Sequence, residues 1–154
     1  MPPSVSAFYR VFLGGLFLLV LMGLRRESFW RGGRRLAWAA FSAFWFALDL
    51  FVWHRSIAAV GPGLSTILAN FQGFLMALYG VVALGERLSA RQVAAIPLAL
   101  AGLFLIVGIH WQGLDARYRS GVWLGLATAI CYTGYLIGLR RLQQLEGGYS
   151  AMAN

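Results

Sequence analysis

Asp49 and Arg10 stand inside runs of apolar residues that give no hydropathic reason for a charge. An Arg or Asp at the centre of a lipid-embedded helix costs about 2.5 to 3.5 kcal/mol on insertion scales, so each marks a candidate functional site. Trp45 and Trp53 lie four residues to either side of Asp49, an aromatic setting for a carboxylate that can receive a cation, a polar solute or a proton. Counted along a helix, Arg10 lies roughly 10 Å from the outer end of its run and Asp49 reaches a similar depth from the opposite direction, so the two can form a buried ion pair. The structural alternative for Arg10 is simple neutralisation of Asp49 or snorkelling to the interface. Asn70 and Gln72 arrive at about that level on a third run; their amides either join helices or face the same polar layer. His54 and Arg55 fall near the interface, where anchoring is the plainest role. A metal or serine hydrolase site is poorly supported. No HExxH pattern occurs, the histidines are His54 and His110, and Gly63-Leu64-Ser65-Thr66 lacks the closing glycine of a nucleophile elbow. No enzyme activity, cofactor or metal is expected.

The elements that must position these groups follow from composition. The 154 residues are 60% apolar and 12% charged, with a mean hydropathy of +0.70, which excludes disorder and a disulfide scaffold. Five runs, near 4–24, 36–58, 64–84, 93–109 and 121–139, are apolar enough to predict transmembrane helices, which need about 20 residues each. They are continuously apolar rather than alternating, so a helical bundle is expected and a strand barrel is not. No basic region precedes the first run, which therefore reads as a mature helix rather than a signal peptide. Gly61-Pro62-Gly63 is a turn signal, Ser89 with Gln92 predicts a capping box, and Pro97 is placed in the opening turns of the fourth helix. Thr66, Asn70, Gly73, Ala77 and Gly80 predict one stripe facing protein or a cavity. Gly121/Gly125 and Gly134/Gly138 have GxxxG spacing, best read as packing within the chain. Cys131, the single cysteine, lies in an apolar run and needs no role beyond packing.

All thirteen basic residues are arginines. They cluster in the breaks between apolar runs rather than along a solvated stripe, which argues against nucleic acid as a partner. Arg25, Arg26, Arg31, Arg34, Arg35, Arg87, Arg91, Arg140 and Arg141 fall on one side of the predicted topology, and Arg55, Arg117 and Arg119 on the other. Cytoplasmic loops retain positive charge, so the first break is predicted cytoplasmic and the amino terminus exterior. A first helix running inward implies a preceding helix that crosses outward.

Ala47-Leu48-Asp49-Leu50, Trp53-His54-Arg55-Ser56-Ile57, Leu68-Ala69-Asn70 and Gly85-Glu86-Arg87-Leu88-Ser89, together with Ala7-Phe8-Tyr9-Arg10, resemble in order the EamA-type drug/metabolite transporter superfamily. The resemblance implies two inverted repeats of five helices around a central pathway, with this chain matching helices two to six of ten. Residues 1–112 then hold four helices of the first repeat, and 113–154 one helix of the second with a cytoplasmic tail. Where many relatives have proline after the Leu-Ala-Asn element, this chain has Gly73. The expectation is an all-α, multi-pass protein of the cell (inner) membrane, a secondary transporter that exports small organic metabolites or drugs. Its partners are the lipid bilayer and a small-molecule substrate, with a coupling proton and a homo-oligomer as further candidates. Asp49, Asn70, Gln72, Trp45 and His54 are assigned to the substrate pathway. Glu86 and Arg87 are assigned to a cytoplasmic loop, as helix cap or gate-side ion pair. The resemblance thus implies an incomplete chain, and the competing expectation is a non-transporting helical fragment or subunit that must assemble with another chain.

Overall fold

A computed structural model of the chain describes residues 3–24, 32–108 and 111–152, and among the described residues there is no strand. Six α-helices run in order through them: α1 (Pro3–Leu24), α2 (Gly33–Val60), α3 (Pro62–Ala69), α4 (Gln72–Leu84), α5 (Ala90–Leu103) and α6 (Ala116–Met152). A π-helical turn, Phe104–Gly108, continues α5, and a short 3-10 turn, Trp111–Gly113, leads into α6. Among the described residues three segments are long and apolar enough to cross a membrane: Gly33–Val60, Pro62–Leu84 and Ala116–Leu145. Val11–Leu21 and Ala90–Ile106 are shorter apolar stretches. The fourth predicted run falls on α5 and the π turn, with its last residue, Ile109, outside the described ones.

The centre of the fold is the seam between α2 and α6. Ser42, Asp49 and Ser56, spaced by seven, are all buried on α2. Opposite them, a Cβ added at Gly121 would meet Ala59 and Val60, one at Gly125 would meet Ser56 and Leu68, one at Gly134 would meet Trp45, and one at Gly138 would meet Ser42 and Phe41. The numbers fall on one helix as they rise on the other, so the pair is antiparallel. Both GxxxG pairs thus serve packing within the chain, letting α2 and α3 approach the α6 backbone. Ser56 Oγ donates to the Gly121 carbonyl across the seam at 2.8 Å. Leu64 and Leu68 of α3 pack with Val122 to form the apolar core beside it.

Gly61 joins α2 to α3 at φ 83°, a conformation only glycine adopts without strain, and Pro62 follows in the first turn of α3. The third predicted run is continuous in hydropathy but broken in backbone. Phe71, Gly73 and Phe74 donate to Leu68, Asn70 and Phe71, three residues back. Asn70 and Gly73, both weak helix formers, bracket the break. Of the predicted stripe, Thr66 and Asn70 line a cavity and Gly80 is buried against Glu86. Gly85, at φ 66°, ends α4, and the Gly85 and Glu86 amides donate to Val81 and Gly80. The Ser89–Gln92 capping box opens α5 as its spacing predicts. Because this cap starts the helix before the apolar run begins, Pro97 is its eighth residue, inside the helix rather than in the first turns.

Hydrogen bonds hold Arg35 and Arg140 at one end and Arg117 at the other. Arg35 donates to the Leu145 carbonyl at 3.2 Å and Arg140 pairs with Glu86, which gathers the start of α2, the end of α4 and the distal part of α6. At the opposite end Arg117 donates to the Ala58 carbonyl at 2.9 Å. Arg25, Arg26 and Arg31 lie outside the described residues.

Candidate functional site

A cavity of about 620 Å³ opens between α1, α2, α3–α4 and α6. Small-molecule sites are commonly clefts of about 300 to 1,000 Å³. Its wall takes Val11, Gly14 and Gly15 from α1, Phe46, Asp49, Leu50, Trp53 and His54 from α2, Thr66, Ala69, Asn70 and Gln72 from the broken segment, and Thr128 and Tyr132 from α6. Asn70 and Gln72, on either side of the break in the third run, both reach this wall.

Asp49 is 5% exposed, and its Oδ1 has no hydrogen-bond partner among the described residues. An unpaired polar atom at this depth carries its full desolvation cost unless a ligand, ion or water meets it. His54 is oriented by its own helix: Nδ1 donates to the Leu50 carbonyl at 2.7 Å, and the ring stands edge-on to Trp53 at a centroid distance of 5.2 Å. A carbonyl can only accept, so Nδ1 carries a proton. The Thr66 hydroxyl donates to the Pro62 carbonyl at 2.7 Å and that of Thr128 to the Leu124 carbonyl at 3.0 Å.

Asp49, Asn70, Gln72 and His54, singled out from sequence, thus line one cavity. Trp45 does not. It packs on Gly134 and lines a second, almost wholly apolar groove of about 520 Å³ with residues that include Leu78, Tyr79 and Ile137. Eight helical residues turn through about 800°, leaving Trp45 and Trp53 about 80° apart on either side of Asp49, so only one of them shares its cavity. The Arg10 side chain lies outside the described residues, and so does that half of the expected ion pair. Glu86 pairs with Arg140 of α6, tying the loop after α4 to that helix. The wall also includes Thr128 and Tyr132, which sequence reasoning passed over; their i, i+4 spacing beside the glycines of α6 was the available signal.

Apolar helices long enough to cross a bilayer, beside a solute-sized cavity with a buried carboxylate in its wall, define an integral, multi-pass membrane protein. The chain belongs to the EamA-like transporter family, whose sequence pattern matches residues 1–108. That family consists of membrane transporters of the drug/metabolite superfamily, so lipid is the surrounding medium and small molecules are the class of substrate. No curated protein and no solved structure matches the chain.

Proposed function

We propose that the chain moves small organic solutes across the cell (inner) membrane as a secondary transporter, in the export direction that the family resemblance implies. Asp49, Asn70, Gln72 and His54 contact the solute on its way. The observation that carries this reading is the buried carboxylate of Asp49, unpartnered at Oδ1 among the described residues, in the wall of a cavity large enough for a small molecule. Five crossings, with α1 and α5 as the shorter ones, and a division into repeats near residue 112 complete the proposal. The family match ending at residue 108 supports that division. The arginine-rich end, with Arg35, Glu86 and Arg140, is the cytoplasmic one on the charge rule.

A second reading is favoured by one feature. Helix α5 has no buried residue, and Leu98 and Leu100 are 76% and 52% exposed. A subunit that assembles with another chain, a second copy included, would cover such a face. Uptake and efflux of a panel of small solutes in proteoliposomes, comparing the wild type with Asp49→Asn, test both readings. Flux reduced by the substitution supports the first. Flux unaffected by it removes Asp49 from the pathway, and absence of flux in both favours the second.

A further inference from the structure

We propose that the cavity takes a protonated organic amine: a singly charged ammonium carrying N–H groups, seated against Asp49, with an apolar or aromatic body. The inference rests on reading the cavity as the solute site and adds the class of solute.

Charge is the first argument. Asp49 is the carboxylate among the described wall residues, no arginine is among them, and its Oδ1 is buried without a partner among the described residues. A cationic solute supplies the missing partner, whereas an anionic one would place like charges together in a poorly solvated space. The wall is the second argument. Phe46, Trp53 and Tyr132 present aromatic rings to the same space, and such rings attract a cation and accept an apolar body.

Hydrogen-bond polarity is the third argument, and it separates an amine from a quaternary cation. The protons of the Thr66 and Thr128 hydroxyls and of His54 Nδ1 are all committed to carbonyls of their own helices. What the two hydroxyls retain for a guest is lone pairs. With the Asp49 carboxylate they offer acceptors to a guest's N–H groups, beside the donors of Trp53 and Tyr132. Asn70 and Gln72 carry both donors and acceptors and suit a polar substituent on the solute body.

The test is calorimetric titration of the full chain in lipid nanodiscs, with empty nanodiscs as the blank for partitioning into lipid. The probes are phenethylamine, its trimethylammonium analogue, 2-phenylethanol, phenylalanine and 3-phenylpropionate. The expected order has phenethylamine tightest and saturable, the quaternary analogue several-fold weaker, the alcohol roughly tenfold weaker or more, and the propionate without measurable binding. Phenylalanine falls below phenethylamine because its carboxylate meets Asp49. Asp49→Asn removes the preference for the amine over the alcohol. Equal or tighter binding of the alcohol, the zwitterion or the anion, or no saturable binding of phenethylamine, overturns the proposal. The probe ranking on the wild type stands even where Asp49→Asn fails to fold. The transport reading fails separately: amine binding without flux sinks transport and leaves this inference standing. Flux of an anionic solute that survives Asp49→Asn does the reverse.

Discussion

Gly125→Ala is the sharpest probe of the seam that holds Asp49 in place. A Cβ at this position would lie 2.6 Å from Leu68 Cδ1, 2.8 Å from Leu68 Cβ and 3.0 Å from Ser56 Oγ. Carbon atoms in good contact sit about 3.5 to 4.0 Å apart, so the neighbours must retreat by roughly 1 Å. Neither can do so cheaply. Leu68 and Ser56 are both 0% exposed, and the Ser56 hydroxyl is held by the Gly121 carbonyl at 2.8 Å. Overpacking of this kind costs about 1 to 3 kcal/mol, and loosening the interhelical hydrogen bond adds about 0.6 kcal/mol. A loss of about 2 kcal/mol lowers the folded-to-unfolded ratio roughly 30-fold. Gly102→Ala is the matched control: it lies in α5 with nothing within 4 Å of its added Cβ, so helix propensity alone acts and the change is stabilising by up to about 1 kcal/mol. Reversible unfolding in mixed micelles with increasing dodecyl sulfate, followed by tryptophan fluorescence, compares the two. If Gly125→Ala proves as stable as Gly102→Ala, α6 does not meet α2 and α3 through its glycines, and the placement of Asp49 beside α6 loses its support.

Two further substitutions test the elements around the site. Ser89→Ala removes the hydroxyl that accepts from the Gln92 amide and destabilises the start of α5 by about 1 kcal/mol, read as faster amide exchange confined to the first turn after residue 89. The Glu86–Arg140 pair is half-exposed, so a double-mutant cycle with Glu86→Gln and Arg140→Gln should give a coupling of at most about 1 kcal/mol in the same unfolding assay. A coupling well above that would mean that lipid or another helix shields the pair.

Hydropathy located the apolar runs because a bilayer imposes length and composition directly, although among the described residues three segments rather than five are long and apolar enough to cross one. Grouping Asp49 with Asn70 and Gln72 needed only helix rise and direction, whereas the position of His54 on its helix read first as an interfacial anchor. The break at Asn70 was not legible, since Ile67 to Leu75 stays mostly apolar through a change in backbone hydrogen bonding that hydropathy does not register. Trp45 illustrates a different limit. Spacing of four on each side of Asp49 names its neighbours along the helix, but the angle between them decides which cavity each one enters, and that requires the position of α6. The spent donors of Thr66 and Thr128 were likewise invisible, because each depends on a rotamer that turns the hydroxyl back onto its own helix.

The central claim, that residue 49 faces an internal polar cavity and not acyl chains, is tested most directly by accessibility of single cysteines. In a Cys131→Ser background, Asp49→Cys and Phe51→Cys are exposed in turn to a membrane-impermeant, positively charged methanethiosulfonate. Phe51 is 53% exposed on the outer surface of α2. The account predicts that Asp49→Cys is modified and Phe51→Cys is not. Modification of neither, or of Phe51→Cys alone, would contradict it.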